Sequence, residues 1–152
     1  MIREATAADL PELGRMFDSY RKVHGARSRV SACAEFLAER LEHPDSKTFL
    51  ACLDDRAVGF IQLHARYASL RLKRNWILAD LFVLPRYRRQ GFARQLVMHA
   101  LAFAEESGSD AVHVTTNEGN EAAVALYRSF GFERVEGTLI FSVSLTGTAE
   151  LT

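Results

Sequence analysis

Between Trp76 and Leu84 the chain places eight apolar residues around one charge, Asp80, and then stops at Pro85. A run of this kind reads as a strand buried on both faces. Before it, Thr48 to Leu53 and Ala57 to Arg66 flank Asp54-Asp55-Arg56, which is a hairpin signal. After it, Gly91 to Ser107 is helical in period, with Phe92, Leu96, Val97, Ala100, Leu101 and Ala104 along one side and Gly108 placed to end it. Ile2 to Ala5 predicts a short strand, and a helix begins near Asp9-Leu10-Pro11-Glu12 with either Asp9 or Thr6 as its cap. A second helix is expected from about Ser28 to Glu42, closed by His43-Pro44. Ala111 to Thr116 predicts a strand, Asn120 to Phe130 a helix capped by Asn120 and ended by Gly131, and Val135 to Leu145 one or two closing strands. The element order is βααβββαβαββ. That order is α+β (a three-layer α/β arrangement in some schemes), with about four helices flanking a mixed, mostly antiparallel sheet of six to seven strands in one domain over residues 1–152.

Composition narrows the function classes. The chain is 48% hydrophobic and 10% aromatic, enough to fill a core, so disorder is excluded as its main state. Nineteen basic residues balance nineteen acidic ones, which argues against a nucleic acid partner. No apolar run approaches the ~20 residues that cross a bilayer, and Met1-Ile2-Arg3-Glu4 does not open a signal peptide. Cys33 and Cys52 make no disulfide framework, and no CxxC or HExxH spacing offers a metal site. A cytoplasmic, reduced, metal-free protein is the expectation.

The chemistry is expected where the buried strand gives way to the long helix, over Leu81-Phe82-Val83-Leu84-Pro85-Arg86-Tyr87-Arg88-Arg89-Gln90-Gly91-Phe92-Ala93. The first amides of a helix lack intrahelical partners and carry partial positive charge. Arg86, Arg88, Arg89 and Arg94 crowd that same end. Uncompensated, each cation there costs roughly 0.3–1 kcal/mol. An anion on the free amides removes the cost, a phosphate or pyrophosphate fits, and Gly91 and Ala93 let the backbone come close to it. A solvated arginine-rich loop is the competing reading. The segment is neither a Walker A loop nor a Rossmann fingerprint.

Arg88-Arg89-Gln90-Gly91-Phe92-Ala93 resembles the Q/R-x-x-G-x-G/A motif of the GNAT acetyltransferases, whose loop holds the pyrophosphate of acetyl-CoA. Asn120-Glu121-Ala122-Ala123-Val124-Ala125-Leu126-Tyr127, followed by Gly131-Phe132, is similar to that family's N-x-x-A-x-x-x-Y…GF signature. The resemblance covers nearly the whole chain and implies acetyl-CoA as co-substrate. It implies that the backbone at Leu81, Phe82 and Val83 pairs with the pantetheine arm and that Arg88, Arg89, Gln90, Gly91, Phe92, Ala93 and Arg94 surround the pyrophosphate. Asn120 and Ala123 would flank the cofactor beside the thioester, and Tyr127 matches the family's general-acid tyrosine. The fourth and fifth strands would splay apart to make the cleft, and a homodimer is the family-level expectation. Leu78-Ala79-Asp80-Leu81-Phe82-Val83 resembles the L-E-D strand of the spermidine/spermine N-acetyltransferases, except that Ala79 stands where their glutamate meets the substrate amine.

Such a reaction joins a neutral amine to the acetyl group of a small-molecule ternary complex and releases a thiolate. An alkylamine of pKa ~10.4 is mostly protonated at pH 7, so presenting it neutral costs roughly 4.6 kcal/mol. A phenol is protonated at that pH and suits the leaving group, although a packed structural tyrosine is the alternative for Tyr127. For the base, Asp80 is the lone charge in its strand; it serves either the amine or a structural bond. His64, His113, Glu118 and water are the other candidates. Arg21, Lys22, His24, Arg27 and Arg29, with Arg66, Arg71, Lys73 and Arg74, lie where the family grips its acceptor. They favour an amphoteric amine if they line the cleft and mean nothing if they are solvated. Tyr20, Tyr67 and Trp76 offer either an aromatic wall or core. A non-catalytic acyl-CoA-binding module and a protein or peptide N-acetyltransferase are the alternative functions.

Overall fold

The computed structural model describes residues 1–146. Its elements are β1 (Ile2–Glu4), α1 (Leu10–Val23), α2 (Val30–Glu42), β2 (Ser46–Leu53), β3 (Arg56–Ala68), β4 (Lys73–Val83), α3 (Phe92–Glu106), β5 (Val112–Val114) and α4 (Glu121–Ser129). The five strands form one sheet in the order β1-β2-β3-β4-β5. Every pairing is antiparallel except that of β4 with β5, which is parallel. The β2–β3 hairpin turns on Asp54 (φ 49°) and Asp55 (φ 63°), both in the left-handed region that two-residue hairpin turns require.

Both faces of the sheet are covered. Phe49, Ala51, Ile61, Trp76 and Leu78 pack under α3 with Leu96, Val97 and Ala100. Leu50, Cys52, Phe60 and Phe82 point the other way, into α1 and α2 through Leu13, Phe17, Cys33 and Leu37. The consecutive residues Phe49-Leu50-Ala51-Cys52 therefore alternate between two cores, as the period-two pleat dictates. The unbroken apolar reading of β4 has the same cause. At the helix α1 entry, Thr6 precedes a short 3-10 turn and Asp9 stands before Leu10; the Asp9 carboxylate accepts the Thr6 N–H and both terminal nitrogens of Arg3. Trp76 is core, fully buried with its indole N–H donated to Ser107.

The expected six to seven strands are corrected to five among the described residues. Val135 to Leu145 forms no strand. Alternation in that segment is real, but it specifies a face to be covered and not the surface that covers it. Leu139, Phe141, Val143 and Leu145 stand 78–92% exposed. No helix of the described residues is long and apolar enough to cross a membrane.

Candidate active site

The parallel pairing of β5 with β4 lasts for three residues, Trp76 with Val112, Ile77 with His113 and Leu78 with Val114. Beyond Leu78, β4 continues to Val83 with no neighbour on that side. A cleft of about 760 Å3 opens there. A β-bulge marks the point of divergence: Gln62 pairs with Asp80 and Leu63 with Leu78, leaving Ala79 as the extra residue. The splay expected from the family resemblance is thus present, and the edge of β4 from Ala79 to Val83 is left open to a bound chain.

At one end of the cleft lies the loop. Pro85–Tyr87 forms a 3-10 turn, Arg89 takes φ 62°, and Gly91, at φ 87°, is the residue before α3. The first hydrogen bond of α3 runs from Gln95 N–H to Gly91 O at 3.1 Å, so the amides of Phe92, Ala93 and Arg94 have no intrahelical acceptor. A Cβ built on Gly91 meets no atom within 4 Å, so the ground before these amides is open. Free donors, an open approach and a helix N-terminus are what a diphosphate needs.

The four arginines do not act alike. Arg88 turns back, donating from Nε to Val83 O at 2.9 Å with its guanidinium 5.5 Å from the Phe82 ring. Arg94 donates to Ser129 Oγ and stacks on Phe130, tying α3 to α4. Arg86 lies over Tyr87. Arg89 alone of the four makes no side-chain hydrogen bond, ion pair or ring contact among the described residues. The Gln90 side chain reaches the Arg86 carbonyl at 3.4 Å instead of the cleft. Leu81, Phe82, Val83, Arg88, Arg89, Gly91, Phe92, Ala93, Arg94, Asn120, Ala123 and Tyr127 all line the cleft; Gln90 and Asp80 do not.

Tyr127 projects from α4 into the middle of the cleft. Its ring is buried against Phe132, it lines the cleft, and its hydroxyl makes no hydrogen bond among the described residues. Burial holds its pKa above that of a free phenol, so it is a filled proton donor at neutral pH. Asn120 caps α4, accepting the Ala123 N–H at 3.2 Å.

On the opposite wall stands Tyr20, the residue whose role sequence reasoning left open between wall and core. It lines the cleft and donates its hydroxyl to Asp80 Oδ1 at 2.8 Å, while Gln62 Nε2 donates to Asp80 Oδ2 at 2.7 Å. Burial, with the Asp80 charge beside it, raises the Tyr20 pKa. Asp80 therefore meets the cleft through Tyr20. The advance signs of this pair were Tyr20, offered as wall or core, and the single charge within β4.

Other candidate bases lie elsewhere. His64 is half-buried against Ser46, and burial lowers its pKa; His113 faces the far side of β5 and is likewise depressed by burial and by Arg66. Neither lines the cleft, nor does Glu118. Of the basic residues near the acceptor end only His24 lines it. Arg71 pairs with Asp110, Arg74 with Asp45 and the Trp76 ring, and Arg21 donates to the Arg27 carbonyl. Tyr67 is exposed and bonds Asp45. The described residues contain no cluster of His, Cys, Asp or Glu that holds a metal.

Residues 13–132 match the model of the acetyltransferase (GNAT) family. The chain belongs to that family. Like its GNAT relatives it is an acetyl-transferring enzyme, and acetyl-CoA is the family's donor. It is 30% identical to the uncharacterized N-acetyltransferase YhfO of Bacillus subtilis (strain 168) over 95% of this chain and 97% of that one. A probable acetyltransferase of Haemophilus influenzae is 29% identical over 86% of this chain and 88% of its own. Among solved structures, a probable acetyltransferase superposes with a TM-score of 0.90 at 35% identity, covering 95% of this chain and 97% of that one. An aminoglycoside N-acetyltransferase, AAC(6')-Iy in complex with CoA, shares the fold at a TM-score of 0.82 and 22% identity, covering 95% and 94%.

Proposed function

We propose that residues 1–152 form a single GNAT domain that moves an acetyl group from acetyl-CoA to a primary amine of a small molecule, by direct attack in a ternary complex. The observation that carries this reading is that one cleft is lined both by the start of α3, whose first amides have no intrahelical acceptor, and by Tyr127, whose hydroxyl makes no hydrogen bond among the described residues. The amides from Arg89 to Arg94, with the Arg89 guanidinium, hold the diphosphate, while the Arg88 N–H is already given to the Pro85 carbonyl. The open edge at Leu81, Phe82 and Val83 takes the pantetheine, and Asn120 and Ala123 bound it from α4.

The chain's own residues then handle protons. As the amine nitrogen bonds to the acetyl carbon, the carbon–sulfur bond breaks and sulfur leaves with the electron pair. Tyr127 gives its hydroxyl proton to that thiolate. On the acceptor side the amine donates to the Tyr20 oxygen while the Tyr20 proton moves to Asp80, so the proton lost by the ammonium ends on the carboxylate. Gln62 keeps Asp80 aimed at Tyr20 throughout. Two distinct groups thus serve as acid and base, as the chemistry requires.

The acceptor end is walled by Tyr20, Val23, His24 and Phe82, and apart from His24 the basic residues that would attract a carboxylate or phosphate lie off the cleft. An amine with a neutral or apolar body fits this better than an amphoteric one. Because the bulge residue Ala79 stands where the spermidine/spermine type has its glutamate, a polyamine lacks the carboxylate that meets its amine in that type. We also infer a cytoplasmic homodimer, in keeping with two buried free thiols.

Calorimetry with coenzyme A and a thiol-release assay over small amines, amino acids, polyamines and peptides test this reading. Binding of coenzyme A with turnover of a small neutral-bodied amine is expected. Absence of coenzyme A binding overturns the loop assignment, binding without turnover points to a non-catalytic module, and turnover of peptides alone replaces the small molecule by a protein acceptor.

A further inference from the structure

Behind Tyr20 and Asp80 a polar row runs through an otherwise apolar core. Gln62 is paired in register with Asp80 on one side and with Thr48 on the other, so the three residues stand in line across β4, β3 and β2. By the period of two they share the sheet face of Leu50, Phe60 and Phe82, which packs under α1 and α2. Thr48 is 1% exposed and Gln62 fully buried, and neither lines the cleft. A valine at position 48 has much the same shape without a hydroxyl to bury. Burying that hydroxyl is a cost unless it meets a partner.

Two atoms of the row are left over. Asp80 Oδ1 accepts from Tyr20 and Oδ2 from Gln62 Nε2, which turns the carbonyl end of the Gln62 amide away from the carboxylate. Gln62 Oε1 then has no hydrogen-bond partner among the described residues, and neither has Thr48 Oγ1, on the residue directly opposite. Opposed residues of an antiparallel pair hold their Cβ atoms roughly 4.5–5.5 Å apart. Gln62 Oε1 only accepts, and the Thr48 hydroxyl has a proton to give. The next rung on this face is closed in the same manner, with Ser46 Oγ meeting His64 Nδ1 at 3.2 Å.

We propose that Thr48 is a positioning residue for the acceptor-side base: its hydroxyl serves Gln62 Oε1, directly or over one water, and so holds the amide with Nε2 on Asp80. The proposal rests on the reading of Asp80 as that base. An ionised carboxylate accepts hydrogen bonds and gives none, so it needs the NH2 end of Gln62 and is repelled by the carbonyl end. A hydroxyl at position 48 serves the other end of the amide and fixes that one orientation. Without it Oε1 is bare in the core, and the amide gains by turning from Asp80 toward another donor. Asp80 is then held by Tyr20 alone, and the relay loses its aim.

Thiol release at saturating acetyl-CoA tests this on Thr48→Val, Thr48→Ser, Asp80→Asn and the double variant Thr48→Val with Asp80→Asn, with thermal melts to show that each folds. Thr48→Val should lose about tenfold in kcat, the scale of one buried hydrogen bond, while the amine KM and coenzyme A affinity hold within a few-fold. Thr48→Ala, which removes the hydroxyl without adding a methyl, should show the same split. Thr48→Ser should recover most of the loss. In the Asp80→Asn background Thr48→Val should cost nothing further, because the carboxylate it aims is gone. A loss of equal size in both backgrounds is general loosening of the core and overturns the proposal. An unchanged kcat in Thr48→Val, or a Thr48→Ser as slow as Thr48→Val, overturns it too. A wild-type kcat in Asp80→Asn instead overturns the base reading on which the proposal stands.

Discussion

Asp80→Asn separates charge from shape at the acceptor end of the cleft. In the protein, Asp80 Oδ1 accepts from Tyr20 and Oδ2 from Gln62. Asparagine keeps one oxygen for Tyr20, but its amide NH2 then faces the NH2 of Gln62. Gln62 is fully buried, and its Oε1 has no hydrogen-bond partner. Rotating the Gln62 amide by half a turn brings that orphaned oxygen onto the new donor and preserves both bonds. The expected stability change is within about 1 kcal/mol, the scale of exchanging one hydrogen bond for another. Asp80→Ala, in contrast, strands Gln62 Nε2 without an acceptor and should cost ~1–3 kcal/mol. Catalysis should not follow stability. A general base contributes typically about 10²–10⁴-fold, so kcat of Asp80→Asn should fall at least ~100-fold while coenzyme A affinity holds. Its residual rate should climb about tenfold per pH unit, because only amine already neutral in solution reacts. Thiol release at saturating acetyl-CoA, read against pH, with thermal melts on both variants, makes the measurement. An unchanged kcat in Asp80→Asn refutes the base assignment, and melts that place it level with Asp80→Ala refute the Gln62 rotation.

Gly91→Val places a β-branched residue at φ 87°, where an L-residue is strained by roughly 1–2 kcal/mol; calorimetry should show coenzyme A affinity falling at least tenfold. The cause is backbone geometry and not overlap, since an added Cβ there meets nothing within 4 Å. Tyr127→Phe should lower kcat by ~10²-fold with coenzyme A affinity held within a few-fold, as the hydroxyl makes no hydrogen bond among the described residues; equal rates would remove Tyr127 from the mechanism. The Asp9 carboxyl is held down to about 2, first by its bonds from Arg3 and then by the Thr6 amide. A depressed folded-state value gives stability that is present above the unfolded value of 3.8 and lost as pH falls through about 2, so wild-type melting should decline across that window more steeply than that of Asp9→Asn.

What the sequence disclosed and what it withheld follow from one distinction. Periodicity reports whether a face is buried, and so β4, α3 and the two-sided sheet were legible, each within a few residues of its observed span. The proposed phosphate loop could be picked out because its residues are consecutive in the chain, running from Arg88 to Arg94, and a contiguous site needs no fold to assemble it. The Asp80–Tyr20 pair was not, because its members lie 60 residues apart and meet only through the angle at which α1 crosses the sheet. Nor was the pairing of Arg71 with Asp110 and of Arg74 with Asp45, which join residues 39 and 29 positions apart. The segment from Val135 to Leu145 lies between these cases. Its period of two announces one covered face, but a strand pattern carries no address for its partner. Within one chain β2 finds β1 and β3 on either side, whereas Leu139 to Leu145 finds solvent. A segment with apolar alternation can thus end exposed, as Leu139 to Leu145 does.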